Sequence, residues 1–154
     1  MTEVQSKATP VIMLKAETFD AVEFPEDVID SRVFEQLLQL DEGTEFVRTV
    51  VEDYFEQAER TIEKMQEAVK EKDFARLSDL GHFLKGSSAA VGIIKMKTSC
   101  GKLQHYGDRR DAEGINSITD EEALKLIEKL LIQMQTENEE ARNNLARVLD
   151  EREI

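Results

Sequence analysis

Apolar residues along this chain recur at spacings of three and four and rarely alternate with polar ones. That period belongs to helices that bury one face. Val33, Phe34, Leu37, Leu38 and Leu40 predict a short helix from about Ile29 to Leu40, ended by Asp41-Glu42-Gly43. Val47, Val50, Val51, Tyr54, Ala58, Ile62, Met65 and Val69 predict a long helix from about Thr44 to Lys70. Asp73 is placed to cap a third, which runs to Val91 and stops at Gly92. A fourth is expected from about Ile93 to Tyr106, ended by Gly107, and the polar stretch Asp108 to Ser117 reads as a loop. Thr119-Asp120-Glu121-Glu122 has the form of a capping box. It opens a last long helix towards Val148, with a seam of Leu124, Ile127, Leu131, Met134, Ala141, Leu145 and Val148.

The breakers agree with this pattern. The two prolines are Pro10 and Pro25, and none follows them. Four substantial amphipathic helices with mostly short connections predict an all-α protein, an antiparallel four-helix bundle with an additional short N-terminal helix. Residues 1–27, with the apolar run Val11-Ile12-Met13-Leu14 behind Pro10, are expected to be a loosely ordered arm, and residues 28–154 the bundle domain.

Composition narrows the partners. The chain has 154 residues, with 20 Lys and Arg against 33 Asp and Glu, a net charge of -13. A surface that acidic repels phosphate backbones and anionic lipid, so neither nucleic acid nor membrane is an expected partner. No window approaches the roughly 18 apolar residues of a membrane span, and Met1 to Lys7 carry no apolar leader core. The single cysteine, Cys100, cannot form an internal disulfide, as expected of an intracellular protein.

The third helix carries the candidate chemistry. Leu77, Gly81, Leu84, Ser88 and Val91 fall on one line and predict its buried stripe. At about 100° per residue, His82 lies roughly 140° from the centre of that stripe and faces solvent. Gly86 sits on the same outward face one turn later, and Lys85 on the flank between. Gly81, Gly86 and Gly101 all fall inside predicted helices, where each glycine costs about 1 kcal/mol against alanine. Gly81 lies on the buried stripe, where a missing side chain lets a neighbouring helix approach. Gly86 has no such packing reason, and it clears space beside the imidazole. An exposed imidazole is largely neutral near pH 7 and keeps a ring nitrogen free as a nucleophile. Lys85 would offer positive charge to an anion on that nitrogen, and a phosphoryl group fits both.

The fourth helix supports this by geometry. Its expected stripe of Ile93, Met96, Cys100, Leu103 and Gly107 leaves Gln104 on the flank. His82 and Gln104 stand about 15 and 18 Å from the turn near Gly92, at almost the same height in antiparallel neighbours. Gln104 can donate or accept a hydrogen bond there without adding charge.

The run His82-Phe83-Leu84-Lys85-Gly86-Ser87-Ser88-Ala89-Ala90 resembles the signature of histidine-containing phosphotransfer (HPt) proteins, most closely the fungal phosphorelay intermediates. The resemblance continues through Gly92, Cys100 and Gln104. It implies that His82 takes a phosphoryl group from a receiver-domain aspartate of a hybrid sensor histidine kinase and passes it to the aspartate of a response regulator. Lys85 would face the phosphate, Gln104 would hydrogen-bond beside it, and Gly86 would give the receiver room. Val33, Leu37 and Leu40 on the short helix, with Ser87, would form the docking surface. No cofactor is implied on this chain, since Mg²⁺ is expected on the receiver, and no metal ligands are expected. A monomer in cytoplasm and nucleus is expected. The N-terminal arm has no counterpart in the family.

Other readings are less well supported. A helical adaptor, binding partners through its apolar lid without covalent chemistry, has no need of a destabilising glycine beside an exposed histidine. An autonomous kinase would need a nucleotide loop such as GxxxxGK[ST], which is absent. A di-metal bundle site would need inward Glu-x-x-His pairs, and the nearest approach is the outward Asp79-x-x-His82. His105 reads as a plain surface histidine and Cys100 as a small buried hydrophobe. Ser88 is expected to bond back to a carbonyl one turn earlier, and Glu137-Asn138-Glu139-Glu140 to be a solvated face.

Overall fold

The computed structural model describes residues 29–39 and 43–152. Five helices follow in order: α1, Ser31–Leu38; α2, Gly43–Lys70; α3, Phe74–Val91; α4, Ile94–Gly107; and α5, Asp120–Arg152. Helices α2 to α5 form an up-down-up-down bundle, in which α3 packs on α2 and α4, and α5 on α2 and α4. The lid helix α1 lies against α2 and α3. This is the expected all-α bundle. The arm, residues 1–27, and Leu40 lie outside the described residues.

Local chemistry fixes the ends. The Asp73 carboxylate accepts the Arg76 N–H at 3.1 Å and caps α3. Thr119 and Glu122 make the reciprocal capping box: Thr119 N–H donates to the Glu122 carboxylate at 2.9 Å, and Glu122 N–H to the Thr119 hydroxyl at 3.1 Å. Gly92 turns the chain between α3 and α4 at φ +82, in the left-handed region. A Cβ there would also stand 3.0 Å from the Asp30 carbonyl oxygen and 3.2 Å from Val33 Cβ. The entry to α1 is thus tied to this turn, with Asp30 N–H donating to the Gly92 carbonyl at 2.7 Å and Ile29 bridged to Ile93.

Some boundaries and positions differ from the sequence reading. Helix α1 stops at Leu38, Gly43 opens α2 rather than closing α1, and Gly107 is the last residue of α4. Helix α5 continues past Val148 to Arg152. At its start Leu124 is only half-buried, while Ala123 and Leu130 are buried, because the seam drifts around a straight helix. The core takes Phe55 and Met65 from α2, Leu77 and Leu84 from α3, Met96 and Leu103 from α4, and Ile127, Met134 and Leu145 from α5. Met65, Met96 and Met134 are fully buried fillers.

Candidate functional site

The buried stripe of α3 is the expected one: Leu77, Gly81, Leu84, Ser88 and Val91. One hydrogen bond pins its rotation. The Ser88 hydroxyl does not turn back on its own helix as expected but meets the Tyr54 hydroxyl of α2 at 2.6 Å in the interior. Two hydroxyls that satisfy each other avoid the cost of a buried unpaired group. Burial pushes the Tyr54 phenol well above its ordinary range. With Ser88 held inward, His82 and Phe83 are turned to solvent. His82 has no hydrogen-bond partner among the described residues.

Glycines shape the surroundings of His82 in two opposite ways. A Cβ on Gly81 would stand 3.0 Å from the Cys100 carbonyl oxygen and 3.1 Å from Gln104 N. The backbone of α4 therefore presses directly on α3 at this level. Gly107 makes the same kind of contact with Ser78, where a Cβ would come within 2.8 Å of backbone N. These close approaches set Gln104 beside the residue preceding His82, as the register argument required. Gly86 is the reverse case: a Cβ there would find nothing within 4 Å. The space in front of the imidazole's helix face is open.

Lys85 is half-buried, as is Gln104. Ser87 is half-buried, and its hydroxyl turns back toward the Phe83 carbonyl at 3.4 Å. Val33 and Leu37 of α1 are half-buried, Val33 against the Gly92 turn and Leu37 against the core. The sequence reading missed Phe83. Its side chain is 49% exposed immediately beside His82, a large apolar surface next to the nucleophile. The available signal was a phenylalanine lying off the buried stripe.

Helix α4 is held by a polar contact that the sequence reading placed in solvent. Glu137 and Asn138 are buried, because position 138 continues the regular three-and-four seam between Met134 and Ala141 and Glu137 lies beside it. The Glu137 carboxylate accepts from the Ser99 hydroxyl at 2.7 Å and from the Gln133 amide at 2.8 Å. Two donors offset the cost of burying that charge. His105 is not a plain surface residue either. It is half-buried, its Nδ1 lies 2.8 Å from the Ala112 carbonyl oxygen, and Gly114 covers the ring.

Cys100 is fully buried on α4. Burial first, and the Glu137 charge second, push its thiol up to about 12, with Lys85 acting the other way. The group is a structural hydrophobe. Two outcomes follow. The native protein should resist thiol alkylation that proceeds readily in denaturant. The folded value exceeds the unfolded one, so the stabilisation is complete below about pH 9 and is lost as pH rises towards 12. Melts across that range should show Tm falling, and Cys100→Ala should show a shallower fall, because Tyr54 and Tyr106, also raised by burial, remain. An equal slope in both proteins would contradict the assignment.

Among the described residues no cluster of His, Cys, Asp or Glu could hold a metal ion, and no helix is long and apolar enough to cross a membrane. The site thus brings together an outward histidine on a packed helix, a lysine one turn on, a cleared face and a neighbouring amide. The Hpt domain pattern matches residues 49–152, and the chain belongs to the Hpt domain family.

The chain is 49% identical over 107 residues to multistep phosphorelay regulator 1 of Schizosaccharomyces pombe, covering 68% of this chain and 36% of that protein. It is 40% identical over 83 residues to the phosphorelay intermediate protein YPD1 of Candida albicans, covering 53% and 45%. The match therefore spans less than half the length of either relative. The fold is shared with Saccharomyces cerevisiae Ypd1, crystallised with the receiver domain of its downstream response regulator Ssk1. The TM-score is 0.73 at 28% identity, covering 83% of this chain and 98% of that one.

Proposed function

We propose that this protein is a phosphorelay intermediate, taking a phosphoryl group from the receiver aspartate of a hybrid sensor histidine kinase onto His82 and passing it to a response regulator. One observation carries the reading. The exposed imidazole of His82 stands in mid-helix beside Gly86, whose Cβ position is empty to 4 Å, with Lys85 one turn away.

A ring nitrogen of His82 attacks the receiver's aspartyl phosphate in line. The N–P bond forms, the acyl P–O bond breaks, and the electron pair returns to the aspartate carboxylate. No general base on this chain is needed, since the attacking lone pair is already free. The rest is positioning and charge. Lys85 faces the transferred phosphate, Gln104 hydrogen-bonds beside it, and Gly86 admits the receiver, which brings the divalent cation. Phe83, Val33, Leu37 and Ser87 supply the docking face. Reversal onto a second receiver completes the relay. The chain is thus a phosphocarrier rather than a kinase, acts as a monomer, and works in cytoplasm and nucleus.

Two substitutions separate docking from chemistry. Leu37→Glu puts a charge on the apolar docking face and should weaken receiver binding by about tenfold or more. A melt confirms that the half-buried position still folds. Lys85→Ala should leave binding nearly intact but slow transfer or shorten the phosphohistidine lifetime roughly 10- to 100-fold, the worth of a hydrogen bond to a charged group. Equal losses of binding in both variants would contradict that division.

A further inference from the structure

We propose that Gly101 is a positioning residue for phosphoryl transfer: its small size leaves a lane across α4 in which the Lys85 stem lies. The inference rests on the phosphotransfer reading of His82 and Lys85 and adds a residue to it.

The glycines in the interiors of α3 and α4 have different reasons to be there. Gly81 faces the backbone of α4 at 3.0 to 3.1 Å, so packing demands it. Gly86 faces open space on the approach to His82. Gly101 fits neither description. It lies in the interior of α4 without a positive φ. A Cβ built there would meet no backbone of a neighbouring helix within 4 Å; the one atom it would reach across the helix interface is Lys85 Cδ, at 4.0 Å. A helix interior is an unfavourable place for glycine, and nothing in the bundle's packing asks for one at this position. What Gly101 leaves clear is a path for a lysine stem.

Lys85 follows that path. It leaves α3 on the flank between the buried stripe and His82, and it is half-buried rather than extended into water. Its Cδ lies over the α4 backbone at Gly101, one residue beyond Cys100. Long lysine stems commonly lie on apolar or backbone surface while the ammonium stays at the water boundary. Here the surface is bare backbone, and the course of the stem decides where the ammonium stands relative to a phosphoryl group on His82. A methyl at position 101 would make ordinary contact with Cδ and leave the stem in place. A longer side chain would occupy the lane and turn Lys85 outward.

The test is a double-mutant cycle on the full chain. Phosphoryl acceptance and phosphohistidine half-life are measured with phosphoramidate, a donor too small to be blocked by crowding at a docking face. The proteins are wild type, Gly101→Ala, Gly101→Leu, Gly101→Gln, Lys85→Ala, and the Leu and Gln substitutions combined with Lys85→Ala. Gly101→Ala, whose methyl only touches Cδ, should lose far less than either longer side chain. Gly101→Leu and Gly101→Gln should each lose as much as Lys85→Ala, within about threefold, and lose nothing more when Lys85 is already alanine. Gln remains soluble and helix-compatible if Leu does not fold. The inference is overturned if the Leu and Gln variants react at the wild-type rate. It is also overturned if their losses persist undiminished in the Lys85→Ala background, since Gly101 would then act on the fold or on His82 directly. Failure of wild type to accept phosphoryl from either phosphoramidate or a phosphorylated receiver would overturn the phosphotransfer reading itself, and this inference with it.

Discussion

Replacing His82 with glutamine is expected to abolish phosphoryl acceptance completely while changing the unfolding free energy by no more than about 0.5 kcal/mol. The side chain is exposed and has no hydrogen-bond partner among the described residues, so the fold loses nothing with it. Glutamine keeps a polar side chain of similar reach but has no nucleophilic ring nitrogen, so any loss is chemical. Receiver binding should survive, because Phe83 and the α1 face are untouched. Phosphotransfer assays, melts and a binding titration on the same preparation separate the three quantities. A labelled His82→Gln protein would move the phosphorylation site elsewhere, and an unfolded one would make His82 a structural residue.

Gly86 gives the second large effect, and its two consequences run in opposite directions. Gly86→Ala should raise stability by up to about 1 kcal/mol, since a glycine leaves an exposed helix interior and the new methyl meets nothing within 4 Å. Gly86→Gln should fold at least as well as wild type yet obstruct a receiver one turn from His82. Transfer from a receiver should fall by about a hundredfold or more, the scale on which small misplacements of reacting groups act. Reaction with a small phosphodonor should be affected far less. Such a protein would be more stable and less active, which a residue selected for packing alone would not produce. A Gln variant that transfers at the wild-type rate would leave the clearance argument without support.

Much of this was legible because it follows from helical periodicity. The stripe of α3, the outward position of His82, the capping box at Thr119 and Glu122, and the left-handed stop at Gly92 all depend on local spacing. The level of Gln104 with His82 followed from counting rise per residue on both sides of one short turn, and Gln104 N indeed lies against Gly81, the residue before His82. What was not legible depends on contacts between residues far apart in the chain. The Ser88 hydroxyl had a local carbonyl available, and only the folded bundle supplies Tyr54 as the better partner. Glu137 reads as part of an acidic surface run until Ser99 and Gln133 appear beside it. His105 looked unremarkable because the loop that covers it, from Ala112 to Gly114, returns only after several residues. Gly101 was visible as a misplaced glycine, but its neighbour, the Lys85 stem, belongs to another helix. Periodicity locates a face; it does not name the partner across it.

The central claim is that His82 carries a phosphoryl group received from a receiver aspartate. The most direct measurement is incubation of the wild-type chain with a phosphorylated receiver domain, followed by peptide mapping of the label and its stability in acid and alkali. The account expects one label per chain, on the peptide containing His82, labile in acid and stable in alkali as a phosphoramidate is. No transfer to the chain, or a label that survives acid and maps to Ser87 or Ser88, would contradict it.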